Sequence, residues 1–179
     1  LAERGLLSTA LAVARLGPRL NGGAIAQLEI RELEAAILAV GGVHKQAAEV
    51  LADAQRLLRT LGLGPFHHAR SELTSAMVRG ASGDHSAAVE AASSALVTLG
   101  QLFSYPHPLT ARAYLTRGRA RARLAEHHAA MQDFADADRT IVEATERPDH
   151  PIAWSARFDH ALIARVIGEV DAEARLADA

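Results

Sequence analysis

The chain contains no cysteine and a single lysine, and only 4% of its 179 residues are aromatic. Without cysteine there are no disulfide staples and no thiolate chemistry. Acidic and basic residues nearly cancel, 21 against 19, so no global positive field is available to attract nucleic acid. No apolar run approaches the roughly 20 residues that span a bilayer, and no secretory pattern opens the sequence. We therefore expect a cytoplasmic protein. Because the first residue is Leu1, we also expect a piece of a longer chain.

What fills the space is alanine, with 39 residues. Alanine is the best helix former and a poor strand former. It buries little area per residue, so a core built from it needs close helix–helix approach rather than large side chains. No stretch sustains a period-two alternation, and the expected fold is all-α.

Prolines punctuate the chain at Pro18, Pro65, Pro106, Pro108, Pro148 and Pro151, each between apolar-periodic segments where a helix must stop. Pro65, Pro106 and Pro148 are spaced like a repeat, and a repeat is present. Gly42-Val43-His44, Gly83-Asp84-His85 and Ala125-Glu126-His127 occupy equivalent places, with Gly168-Glu169-Val170 as a fourth. Alanine follows each His at the third residue (Ala47, Ala88, Ala130) and at the tenth (Ala54, Ala95, Ala137). Nine residues before the third turn position stands a small residue in all four units: Ala35, Ala76, Gly118 and Ala161.

This is the pattern of a repeated helical hairpin. First helices are expected over residues 22–40, 65–81, 107–124 and 150–168, and second helices over 44–61, 85–103, 127–144 and 170–179. A leading helix over 2–16 reads as the second half of an earlier unit, with Gly5 and Ala12 at its two small positions. The chain then divides into a leading segment 1–21, repeat one at 22–64, repeat two at 65–106, repeat three at 107–149 and a partial repeat four at 150–179, in which Glu173 falls where alanine is expected.

In the third unit the motif reads Gly118, His127, Ala130, Phe134, Ala137, Pro148, and it resembles the tetratricopeptide repeat in its long form of about 42 residues. That form is similar to the repeats of kinesin light chains and of bacterial AfsR/SARP- or MalT-like regulators. His stands at the usual Tyr position in three units and Val170 in the fourth. Pro106-His107-Pro108 and Pro148-Asp149-His150-Pro151 resemble the turns that precede first helices in the same family. The resemblance implies a right-handed superhelical solenoid of antiparallel helical hairpins, about four of them plus the leading helix.

It also implies a concave groove lined by first helices. The positions that carry it are Arg70, Leu73 and Met77 in unit two, Arg112, Leu115, Arg119, Ala122 and Arg123 in unit three, and Phe158, Leu162 and Arg165 in unit four, with Glu29, Glu32 and Ala36 at its start. The expected groove is basic with apolar patches in its middle and C-terminal part, and acidic near its beginning. Five arginines and no acidic residue lie between Leu109 and Ala125. Two readings stay open: these arginines bind a carboxylate-bearing partner, or they pair internally with acidic second helices. Only Tyr114 lies near them for stacking, so direct nucleic-acid binding is not expected.

The remaining chemistry is thin. Nine histidines include no His-Glu-x-x-His and no zinc spacing, and are expected to be packing and turn residues. Asp133, Asp136 and Asp138 read as a solvated face towards Arg139 or a neighbouring helix. There is no Gly-x-Ser-x-Gly elbow and no phosphate-cradling loop. We expect no enzyme activity, no metal and no cofactor. The expected function is a non-catalytic interaction or scaffold module, a fragment of a larger bacterial intracellular transcriptional or signalling regulator. Its partner is a protein or peptide segment, acidic in character, or another domain of its own chain. The alternative is a structural spacer or a homodimerisation domain without ligand.

Overall fold

A computed structural model describes residues 23–177, with side chains placed through Gly168. The leading helix expected over 2–16 lies outside the described residues. Within them are seven helices and no strand: α1 (Ala24–Val40), α2 (His44–Leu61), α3 (Pro65–Ala81), α4 (His85–Leu102), α5 (Pro108–Arg123), α6 (His127–Thr145) and α7 (Pro151–Ala177). None of them is long and apolar enough to cross a membrane.

Local chemistry sets most of these boundaries. Pro65, Pro108 and Pro151 are the first residues of α3, α5 and α7. There the missing N–H costs nothing and the fixed φ suits a helix start. His107 and His150 precede two of these prolines, and each caps the helix that follows. The imidazole Nδ1 of His107 accepts a hydrogen bond from the Leu109 N–H at 3.2 Å, and that of His150 accepts one from the Ile152 N–H at 3.1 Å.

The turns inside the hairpins share one hydrogen-bond pattern. The Val43 N–H donates to the Leu38 carbonyl and the Gly42 N–H to the Ala39 carbonyl. Asp84 and Gly83 repeat this onto Arg79 and Gly80, and Glu126 and Ala125 repeat it onto Arg121 and Ala122. This is the Schellman closure, and it needs a left-handed residue just past the helix end. Gly42 (φ 77°) and Gly83 (φ 91°) supply it without strain. In the third hairpin Ala125 takes φ 60°, at a cost of roughly 1–2 kcal/mol for its Cβ.

Helices pack as antiparallel neighbours, α1 on α2, α3 on α4 and α5 on α6. Successive first helices α1, α3, α5 and α7 also touch one another in order, whereas no two second helices are in contact among the described residues. The first helices thus form one continuous layer and the second helices an outer, separated one.

The repeated small residues sit where these layers meet. Ala35, Ala76, Ala47, Ala88, Ala130, Ala54, Ala95 and Ala137 are all completely buried. Gly118 is the tightest approach. A Cβ built on it falls 2.7 Å from the Phe134 ring, so Phe134 occupies the volume that glycine leaves. Leu115, Ala130, Phe134, Ala137, Ala156 and Ile163 make the core around it.

The fourth hairpin does not form. Where a turn is expected at Gly168-Glu169-Val170 and a separate helix over 170–179, α7 continues through Gly168 to Ala177. The other hairpins bury alanine three residues after the turn. In the same register, closure of the fourth would place Glu173 at that buried site, and an unpaired buried carboxylate is strongly disfavoured.

Candidate functional site

The first-helix layer carries a trough made of three adjoining cavities. The first, about 170 Å³, lies between α1, α3 and α5 and is bordered by Glu29, Glu32, Arg70, Leu73, Met77 and Arg112. The next, about 210 Å³, shares Met77 with it and continues to Thr116, Arg119 and Arg123. The last, about 300 Å³, shares Arg119 and Arg123 and ends at Asp159, Leu162 and Ile163 of α7. These side chains converge because each first helix repeats the same angular register, so positions 41 and 42 residues apart stack side by side.

Eight of the eleven groove residues expected in units two to four line this trough. Arg70, Met77, Arg112, Arg119, Ala122, Arg123 and Leu162 form its walls, and Leu73 is buried in its floor. Three do not. Leu115 is buried in the core with Phe134 and is no surface residue. Phe158 and Arg165 are exposed on α7 but border none of the three cavities.

Charge is distributed unevenly along the trough. Arg70 is neutralised at the α1 end: its Nε donates to Glu32 Oε2 at 2.9 Å and a terminal nitrogen donates to Glu29. Burial raises the Glu32 pKa although Arg70 opposes the shift, and Glu32 Oε1 has no hydrogen-bond partner. Arg119 pairs with Asp159 of α7 at 2.7 Å and remains more than half exposed. Arg112 donates to the Met77 sulfur at 3.4 Å. Among the described residues, Arg112 and Arg123 have no carboxylate within ion-pair distance. Both are exposed. The middle of the trough is therefore cationic, and its α1 end keeps a net acidic balance of two glutamates against one arginine.

The two α5 arginines outside the trough, Arg117 and Arg121, do pair internally. Asp133 of α6 is 1% exposed and takes a two-pronged contact from Arg117, at 2.7 and 3.0 Å, and a third bond from Arg121 at 2.9 Å. Its neighbours are only partly exposed but find the expected kinds of partner, Asp136 pairing with Arg139, and Asp138 with Arg157 of α7 at 2.9 Å. The expected solvated face fails outright at Asp133, because two guanidiniums brought from α5 supply the hydrogen bonds that let a carboxylate be buried.

The histidines divide as well. His44 is exposed rather than packed, while His85 and His127 are half-buried at the first turn of α4 and α6. His107 stacks on Phe103 at 4.0 Å, and burial lowers its pKa. No group of three or more His, Asp or Glu residues able to hold a metal occurs among the described residues.

Sequence reasoning missed two features. The capping role of His107 and His150 was legible in the repeated His-Pro pair. Trp154, 65% exposed on α7, was legible as the counterpart of Leu28, Ala69 and Ala111, all buried. Compared with known proteins, the chain matches no family model, no curated protein and no solved structure.

Proposed function

We propose that the chain is a non-catalytic protein-interaction module of the tetratricopeptide type, folded as a right-handed solenoid, within a larger bacterial intracellular regulator. The trough on its first helices binds an acidic protein segment. The observation that carries this reading is the pair of exposed guanidiniums, Arg112 and Arg123, that stand, among the described residues, without carboxylate partners beside apolar Met77 and Leu162. A guanidinium presents a flat fork of donors matched to a carboxylate, and the apolar neighbours exclude water from the contact. Arg119 contributes less, because Asp159 already offsets its charge. The repeated Schellman turns, the buried alanines and the continuous first-helix layer support the family reading.

The test uses fluorescein-labelled Glu/Leu-rich peptides and Lys/Leu-rich counterparts, titrated into the chain by fluorescence polarisation. Preferential binding of the acidic set, weakening as salt rises, is the expected result. The double variant Arg112→Glu, Arg123→Glu should bind the acidic set at least about tenfold more weakly, since 1.4 kcal/mol is a factor of ten. Its helical circular dichroism should be unchanged, because both side chains are exposed. Equal binding of both peptide sets, or full retention of affinity in the double variant, defeats the proposal.

A further inference from the structure

The last described helix presents a surface that every other hairpin covers. Counting from the small residue of each unit, Trp154 of α7 corresponds to Leu28, Ala69 and Ala111, which are buried against Leu58, Leu99 and Ile141 of the second helices. Phe158 corresponds to Glu32, Leu73 and Leu115, which are also buried. Ala161 corresponds to Ala35, Ala76 and Gly118, at the closest approach of each helix pair. On α7 all three are exposed, Trp154 at 65% and Phe158 at 69%. Residues 169–177 do not fold back to cover them, because they continue the same helix.

We propose that this face is a homodimerisation seam, in which α7 of a second copy lies antiparallel across it as the second helices do elsewhere. Trp154, Phe158, Ala161, Arg165 and Gly168 follow one another at spacings of four, three, four and three residues, the spacing of a two-helix seam. Bulk lies at one end and the small or cationic positions at the other. An antiparallel crossing centred on Ala161 therefore sets Trp154 over Gly168 of the second copy. The same crossing sets Phe158 beside Arg165, a favourable cation–ring contact. A parallel pair stacks Trp154 on Trp154 and opposes like charges at Arg165. At the crossing, Ala161 meets Ala161 with room for close approach, as the small residues allow inside each hairpin. The proposal does not rest on the trough or on what the trough binds.

Two features of the sequence make the test direct: Trp154 is the sole tryptophan, and there is no native cysteine. Light scattering on the whole 179-residue chain should show the mass doubling with concentration, with a blue shift of tryptophan emission in step. Ala161→Cys should give a disulfide-linked dimer under mild oxidant, and Val97→Cys, also exposed but on α4, should not. Ala161→Arg should abolish the dimer and leave the helical circular dichroism intact. A monomer at concentrations up to about 1 mM overturns the proposal. So does a dimer whose tryptophan emission stays constant and whose Ala161→Cys variant cross-links no faster than Val97→Cys, since its interface is then elsewhere. Capture of a foreign helix by Trp154 and Phe158 in a chain that remains monomeric alone also overturns it.

Discussion

Gly118 shows how one absent methyl group organises a core. The Phe134 ring and the Asp133 Cβ occupy the space a side chain needs, at 2.7 to 3.1 Å from an ideal Cβ. Alanine at this position gains about 1 kcal/mol in helix propensity. It loses about 1–3 kcal/mol by displacing a packed ring, and that term wins. Gly80 is the control, because its added Cβ meets only the Ala88 methyl at 3.6 Å, an ordinary contact. Thermal unfolding should therefore show Gly118→Ala destabilised and Gly80→Ala stabilised by up to about 1 kcal/mol. A common sign for both variants contradicts the packing account. The same scale explains why Asp133 misled sequence reasoning. Its partners Arg117 and Arg121 lie 16 and 12 residues away, and only the α5–α6 pairing brings them to it.

At the level of single elements, start and stop signals were legible. The expected α2 (44–61) and α3 (65–81) coincide with the observed helices, because proline and the Gly-x-His turn are local devices. The His107 cap adds a pH dependence to α5. Its Nδ1 accepts a hydrogen bond only when unprotonated, and burial against Phe103 further favours the neutral ring. A folded-state pKa lowered from the ordinary 6.5 means that the unfolded chain binds the proton more readily. The stabilisation is thus complete above that value and is lost as pH falls below it towards the lowered pKa. His107→Ala should cost about 1 kcal/mol at pH 8, the usual value of a cap, and should flatten the His107 part of the stability profile below pH 6.5. Urea midpoints of both proteins between pH 5 and pH 8 check this. A variant with the native slope shows that another group carries the dependence. The fourth hairpin marks the limit of local signals, since Gly168 permits a turn but only a buriable second helix makes one form.

The described helices pack mainly in consecutive pairs, so their stability is close to a sum of local terms. The junction between α2 and α3 is sparser than those between α4 and α5 or between α6 and α7. Arg70 reinforces this junction by clamping α3 to Glu29 and Glu32 of α1. Removing it leaves Glu32 buried without a partner, at a cost of about 3 kcal/mol. Hydrogen exchange of Arg70→Ala should accelerate in α1 and α2 while α5 and α6 keep native protection. Uniform acceleration along the chain contradicts a hairpin-by-hairpin organisation. This bridge was not legible in sequence, because it joins residues 38 and 41 positions apart whose charges read singly as one basic and one acidic end of a groove.

The amino-acid sequence alone determined the all-helical class, the register of small residues and most helix boundaries, since propensity, capping and turn chemistry act within a few residues of each other. The family resemblance, rather than periodicity alone, pointed to the first-helix positions, and Leu115, Phe158 and Arg165 of that set lie outside the trough. Tertiary structure decided what each of those positions became. Leu115 is covered and its counterpart Phe158 exposed because α6 lies over one and no described helix lies over the other. Arg112 keeps its charge available while Arg70 does not, because two glutamates on another helix reach Arg70 and, among the described residues, none reaches Arg112. Burial and pairing depend on neighbours distant in sequence, and packing alone sets those neighbours.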